Sequence, residues 1–315
     1  MLFDFSNGMH DAANAIATAV TTRALPVGVA VLLAAGLNVV GALVSTAVAQ
    51  FMGKGLVDAS LVTQPIVASA LLGAIGWNFL TWYLGLPSSS SHALIGGLIG
   101  ATIVALGTGA VHYGGLTKTI IGLVGSPILG FIAAYIVMAV ILRLFRDFPF
   151  SPTMHGFRRL QVISASFMAF AHGSNDAQKT MGIVYLALVG GRLVSHDAPI
   201  PLWVILMSAA AMGLGTAAGG WRIIRTLGSK LTDLSPAHGF AAETASSAVI
   251  LTATHFGLPI STTHVIASSV LGVGATRRAR AVRWGVAANI VLAWVFTIPG
   301  AGIIAALTTL VLMRA

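Results

Sequence analysis

The chain of 315 residues contains no cysteine, which excludes thiolate metal sites, thiol catalysis and disulfides. It has little charge: Asp, Glu, Lys and Arg make up 8% of it, against about a quarter in soluble domains. Only eight residues are acidic, so any acid inside an apolar run needs a reason to be there. A soluble globular chain and a disordered chain are both excluded. What is present instead is 57% hydrophobic residues, 36 glycines and a mean hydropathy of +0.92. The apolar runs show no alternation of polarity, which selects helices over a β-barrel for crossing a bilayer. No P-loop and no strand–turn–helix glycine fingerprint occurs, so the glycines serve helix packing and no cofactor is expected.

The net charge is +9. In an apolar chain this excess sets orientation and does not point to nucleic acid. The cations cluster at Arg143, Arg146, Arg158 and Arg159, at Arg222, Arg225 and Lys230, and at Arg277, Arg278, Arg280 and Arg283. All three clusters are read as cytoplasmic, and the uncharged segment 107–117 as lying outside. The expected location is a cell membrane, crossed many times.

Gly, Pro and charge separate apolar runs at 10–22, 26–52, 65–85, 88–107, 118–142, 160–172, 177–190, 201–219, 240–257, 260–275 and 284–313. Several are shorter than the roughly 20 residues that a spanning helix needs, as expected of broken helices and helical hairpins. The fold class is therefore all-α, polytopic, with about ten or eleven apolar helical segments. The polar stretch 145–159 reads as a short cytoplasmic linker between a first repeat, 1–144, and a second, 160–315. The two repeats share motifs in the same order. Gly8-Met-His-Asp11-Ala-Ala-Asn14 matches Gly173-Ser-Asn-Asp176-Ala-Gln-Lys179. Gly85-Leu-Pro87 with Ser88–Ser91 and His92 matches Gly257-Leu-Pro259 with Ser261–Thr263 and His264. Pro127 matches Pro299. Counting spans from a cytoplasmic linker gives the two repeats opposite orientation, the inverted-repeat plan of secondary transporters. The run 160–172 has no full-length partner ahead of the first acidic motif. Either the first repeat lacks a helix or the true start lies upstream.

A carboxylate within a membrane costs a few kcal/mol or more unless paired or hydrated. Asp11 and Asp176 at equivalent places in two repeats point to one shared site. Asn14 shares a helix face with Asp11. The oxygens of Asp11, Asn14, Asn175, Asp176, Gln178 and Glu243 suit a coupling cation, and the carboxylates could instead carry a proton. As helix caps, Asp and Asn would have a purely structural role. Ser89, Ser90, Ser91, Ser261, Thr262 and Thr263 follow Gly-Leu-Pro in a sequence that starts a helix. Free N–H groups and clustered hydroxyls at a helix start hold anions. His10, His92, His172 and His264 are candidates for a proton relay or for supporting the ligands, or are packed structural histidines. Lys179 either neutralises Asp176 or attracts the anion. A duplicated Ser–His pattern is not what a single-nucleophile hydrolase requires, so no catalytic residue and no resident metal are expected.

These motifs resemble the inorganic phosphate transporter (PiT) family. The carrying residues are Asn7-Gly-Met-His-Asp-Ala-Ala-Asn14, His172-Gly-Ser-Asn-Asp-Ala-Gln-Lys179, Pro87-Ser-Ser-Ser-Ser-His92 and Pro259-Ile-Ser-Thr-Thr-His264. The resemblance runs along essentially the whole chain. It implies a cation-coupled phosphate symporter, often dimeric. Asp11, Asn14, Asn175 and Asp176 match the residues implicated in cation and phosphate transport, and Ser89–Ser91 and Ser261–Thr263 match the hairpin tips that cradle phosphate. His10 before Asp11 resembles the bacterial low-affinity branch. That implies an inner-membrane protein, coupling to H⁺ with Na⁺ as the alternative, and phosphate carried free or as a neutral complex with a metal such as Mg²⁺. Sulfate is the alternative substrate. Unlike hydrogen phosphate, it cannot donate a hydrogen bond to a carboxylate.

Overall fold

Helix termination at Gly85 and Gly257 shapes the molecule. Both adopt the left-handed conformation, with φ of +67° and +66°, which a side chain disfavours. Each is followed by Leu-Pro, and then by a serine that caps a new helix. Ser89 Oγ accepts from the His92 N–H at 3.1 Å, and Ser261 Oγ from the His264 N–H at 3.2 Å. The same five-residue logic therefore makes two helical hairpins.

The computed structural model describes residues 1–314. Twelve α-helices are present among them, with no strand beyond one isolated bridge between Val57 and Val111. The first half contains α1 (Leu2–Thr21), α2 (Val27–Ala42), α3 (Ala47–Lys54), α4 (Gln64–Leu84), α5 (Ser90–Leu106) and α6 (Tyr113–Leu144). The second contains α7 (Phe150–Gly190), α8 (Leu202–Ala218), α9 (Trp221–Arg225, continued by a π-turn to Lys230), α10 (Pro236–His255), α11 (Thr262–Ala275) and α12 (Trp284–Leu312). The hairpins are α4–α5 and α10–α11.

The all-helical expectation is met, with differences at several places. The run expected at 10–22 is α1, which already starts at Leu2. The run expected at 26–52 is two helices, α2 and α3, bent by 68°. The runs at 160–172 and 177–190 are one continuous helix, α7. The polar residues between them do not break it, because Asn175, Asp176 and Lys179 find partners on the second hairpin. That helix also starts at Phe150, behind Pro149, so most of the expected linker 145–159 is helical. Proline is favourable at such a start, where its missing N–H costs nothing.

α4, α6 and α12 are each long and apolar enough to cross a membrane. The bent pairs α2–α3 and α8–α9 raise the number to five if each is counted as one span. α6 and α12 expose aliphatic faces, including Ile121, Val124, Ile128, Val291, Val295 and Ile303, as a lipid solvent allows. The halves interleave. α5 packs between α4 of its own half and α12 of the other, while α11 packs between α10 and α6. α1 lies against α8, and α7 against α2. Both hairpin tips thereby meet α1 and α7 in the interior.

Candidate functional site

The middle of α1 and the second half of α7 run beside the two hairpin tips, and the duplicated polar residues meet there. Asp11 accepts from Ser90 Oγ of the first tip at 3.1 Å and from Thr263 Oγ1 of the second at 3.1 Å. His10 Nδ1 lies 2.8 Å from the same carboxylate. Asp176 accepts from Thr262 Oγ1 at 2.9 Å and from Lys179 Nζ, and His172 Nε2 lies 3.3 Å away. Lys179 Nζ also reaches Ser91 Oγ at 2.5 Å and the Ile260 carbonyl at 2.7 Å. Asn14 Nδ2 donates to Thr263 Oγ1 at 2.9 Å and to Thr262 Oγ1 at 3.4 Å. Ser91 Oγ donates to the Ile260 carbonyl at 3.2 Å, so the tips also touch each other. Every one of these side chains is buried.

Two kinds of chemistry converge here. The hydroxyls of both tips, with the free N–H groups of the first turns of α5 and α11, form a donor-rich anion environment. Beside it, Asp11, His172 and Asp176 each offer a ligand atom within 4.8 Å of the others. Asn14 Oδ1 and Asn175 Oδ1 are buried without a hydrogen-bond partner. Unpartnered buried amide oxygens are costly unless something accepts their lone pairs, and a hard cation does so.

Ser89 and Ser261 sit at the tips as helix caps, their oxygens already accepting a backbone N–H. Asn175 turns toward the second hairpin, donating to Thr254 Oγ1 at 2.9 Å and to the Leu258 carbonyl at 3.3 Å. His92 and His264, equivalent in the two motifs, pack with their rings tilted and centroids 4.4 Å apart, and His264 stacks on Trp294 at 3.9 Å. They join the hairpins rather than face the carboxylates. Gln178 stands apart: its Oε1 accepts from the N–H groups of Val48 and Ala49 at 2.9 and 3.3 Å, capping the start of α3. Glu243 forms a separate buried cluster, accepting from Thr18 Oγ1 at 2.5 Å, Gln161 Nε2 at 3.1 Å and Ser164 Oγ.

Several residues were missed. Asp4, fully buried, accepts from Thr180 Oγ1 at 2.6 Å. Asn38 Oδ1 meets His172 Nδ1 at 3.0 Å. Thr81 lies 3.1 Å from His10 Nε2. A signal for Asp4 existed: Asp4, Asn7, Asp11, Asn14 and Thr18 recur at alternating steps of three and four, a polar stripe along one face of α1. The sequence Ser88, His10, Asp11 has the order of a hydrolase triad. However, Ser88 Oγ is 3.4 Å from His10 Nε2 and donates to Thr81 Oγ1 at 2.9 Å, so His10 does not hold its proton.

The chain as a whole matches a known family. The phosphate transporter family's model matches residues 7–155 and 146–305. The chain is 50% identical to a probable low-affinity inorganic phosphate transporter of Mycobacterium bovis, over 98% of this chain and 74% of that protein. Proteins of the same description from Rhizobium meliloti and Bacillus subtilis are 48% and 46% identical, over 98% and 95% of this chain and 92% and 90% of theirs. A solved structure described as the sodium-dependent phosphate transporter superposes with a TM-score of 0.90 at 26% identity, covering 99% of this chain and 96% of that one.

Proposed function

The chain belongs to the phosphate transporter family, and from that premise we propose that it is a symporter whose two hairpin tips hold inorganic phosphate between them. Phosphate lies against Ser90, Ser91, Thr262 and Thr263 and the helix starts that Ser89 and Ser261 cap. Asp11 and Asp176, with Asn14 and Asn175, line the coupling-cation site. Glu243 is a further cation position beside Thr18 near the C-terminal end of α1, and the repeats are inverted.

The observation that carries this reading is that one carboxylate, Asp11, accepts from a hydroxyl of each tip. A hydroxyl has one proton to donate. As arranged here, Ser90 and Thr263 give theirs to Asp11, and Thr262 gives its own to Asp176. A phosphate between the tips takes those protons as hydrogen bonds for itself. Asp11 then loses its tip donors and, buried in a membrane, needs a cation, whereas Asp176 keeps Lys179. Cation binding in turn frees the hydroxyls for phosphate. The two ligands thus favour each other by the same free energy in either order of binding, which is coupling in its thermodynamic sense. Rocking of the hairpins against the remainder exposes the site to each side in turn.

Na⁺ coupling has the support of the sodium-dependent structural neighbour, and H⁺ coupling that of His10 placed beside Asp11. The reading includes phosphate carried free or with Mg²⁺, and a homodimer in the bilayer, which crosslinking in native membranes tests. The deciding experiment is radiolabelled phosphate uptake into proteoliposomes under imposed Na⁺ or H⁺ gradients, with and without Mg²⁺, and with sulfate as competitor. Uptake driven by one gradient supports symport. Sulfate uptake without phosphate uptake refutes the substrate.

A further inference from the structure

The two acidic motifs differ at one decisive place. One turn after Asp11 stands Asn14, and at the equivalent place one turn after Asp176 stands Lys179. Asn14 Oδ1 is a buried oxygen without a hydrogen-bond partner, a ligand that a mobile cation can use. Lys179 carries the charge itself. Among the described residues it is the only buried Lys or Arg, at 1% exposure.

The Lys179 ammonium touches three oxygens from three elements: the Asp176 carboxylate on α7, the Ser91 hydroxyl on the first tip at 2.5 Å and the Ile260 carbonyl on the second tip at 2.7 Å. A carboxylate, a hydroxyl and a main-chain carbonyl are the ligand types that hard cations take. Three contacts also use all three donors of an ammonium. The side chain therefore occupies its cage as a bound ion would, but on a tether.

We propose that Lys179 replaces a mobile coupling cation at the second repeat and so determines ion preference. The transporter then needs one mobile cation fewer on the Asp176 side than on the Asp11 side. This rests on the reading of phosphate–cation symport above. Because the tethered charge bonds to both tips, it also holds them together across the site, so its neutralisation is felt by both hairpins.

The test is to give the second motif the residue of the first, Lys179→Asn. Phosphate uptake of this variant in proteoliposomes is expected to rise with Na⁺ by about fivefold or more beyond any Na⁺ response of the wild type, the lower end of measured coupling between sites. A parallel measurement needs no transport: the thermal midpoint of the purified variant in detergent should rise with NaCl relative to choline chloride, while that of the wild type does not. Lys179→Gln, which also supplies an amide oxygen, serves if Lys179→Asn fails to insert. If both variants insert and neither uptake nor thermal midpoint gains a Na⁺ response, the proposal is overturned. It is likewise overturned if the only effect is a raised KM for phosphate, which would make Lys179 an anion ligand. Failure of the wild type to move phosphate under any gradient would instead refute the symport reading and leave the thermal measurement to judge Lys179.

Discussion

Thr263 Oγ1 donates to Asp11 Oδ1 across 3.1 Å, although 252 residues separate them in the chain. This bond joins the first acidic motif to the hairpin tip of the opposite half. Its counterpart joins Asp176 to Thr262 within the second half. Both carboxylates are thereby answerable to the same tip.

The variants Asp11→Asn and Asp176→Asn should each abolish coupled phosphate uptake while the protein still inserts. The amide keeps the shape of the carboxyl but loses its charge. Hydrogen bonds to a charged group contribute about 1.5–3 kcal/mol each, so the loss should be roughly tenfold or greater. Wild-type uptake by both variants, measured at equal membrane abundance, would refute the proposed site.

Removing a tip hydroxyl should weaken phosphate binding more than it weakens the fold. Thr263→Val deletes the donor to Asp11 and the acceptor of Asn14 while conserving volume. A hydrogen bond to a charged group is worth about 1.5–3 kcal/mol, so KM for phosphate should rise roughly tenfold or more. Ser90→Ala, on the other tip, should do the same. Unchanged KM in both would show that the tips do not hold the anion.

Gln178 should act on stability alone. Its carbonyl oxygen is already committed to the start of α3. Gln178→Ala should lower stability by about 1 kcal/mol, the usual value of a lost helix cap, and leave the cation dependence of uptake as it was. A changed cation dependence would return Gln178 to the ligand set.

Gly85→Ala forces a side chain into a left-handed backbone and should cost about 1–2 kcal/mol. Gly36→Ala, in a helix where an added Cβ meets nothing within 4 Å, should be neutral or stabilising. Thermal unfolding in detergent separates the two. Equal effects would mean that the tip does not depend on this turn.

The parts legible from sequence were those written twice. Asp11 and Asp176 stood out because an acid is costly in an apolar run, and Gly-Leu-Pro before hydroxyls spelled a turn and a helix start without knowledge of neighbours. What escaped needed partners far along the chain. Asn175 and Asp176 look like a helix break until Thr254 and Thr262 are seen to satisfy them. Gln178 looks like a ligand until α3 is placed against it. Asn38 lies outside the repeated motifs, and only packing with α7 gives it a role, while Asp4 is marked by the polar stripe of α1 and finds its partner on α7.

The interleaving of the halves has a consequence for biosynthesis. The first hairpin is made early, but α12, which packs against both of its helices, emerges only after the second hairpin. Until then the polar tip at Ser88–Ser91 is incompletely enclosed, a long-range closure of the kind that folds slowly and exposes intermediates. The two halves expressed as separate polypeptides should therefore be stable only when made together.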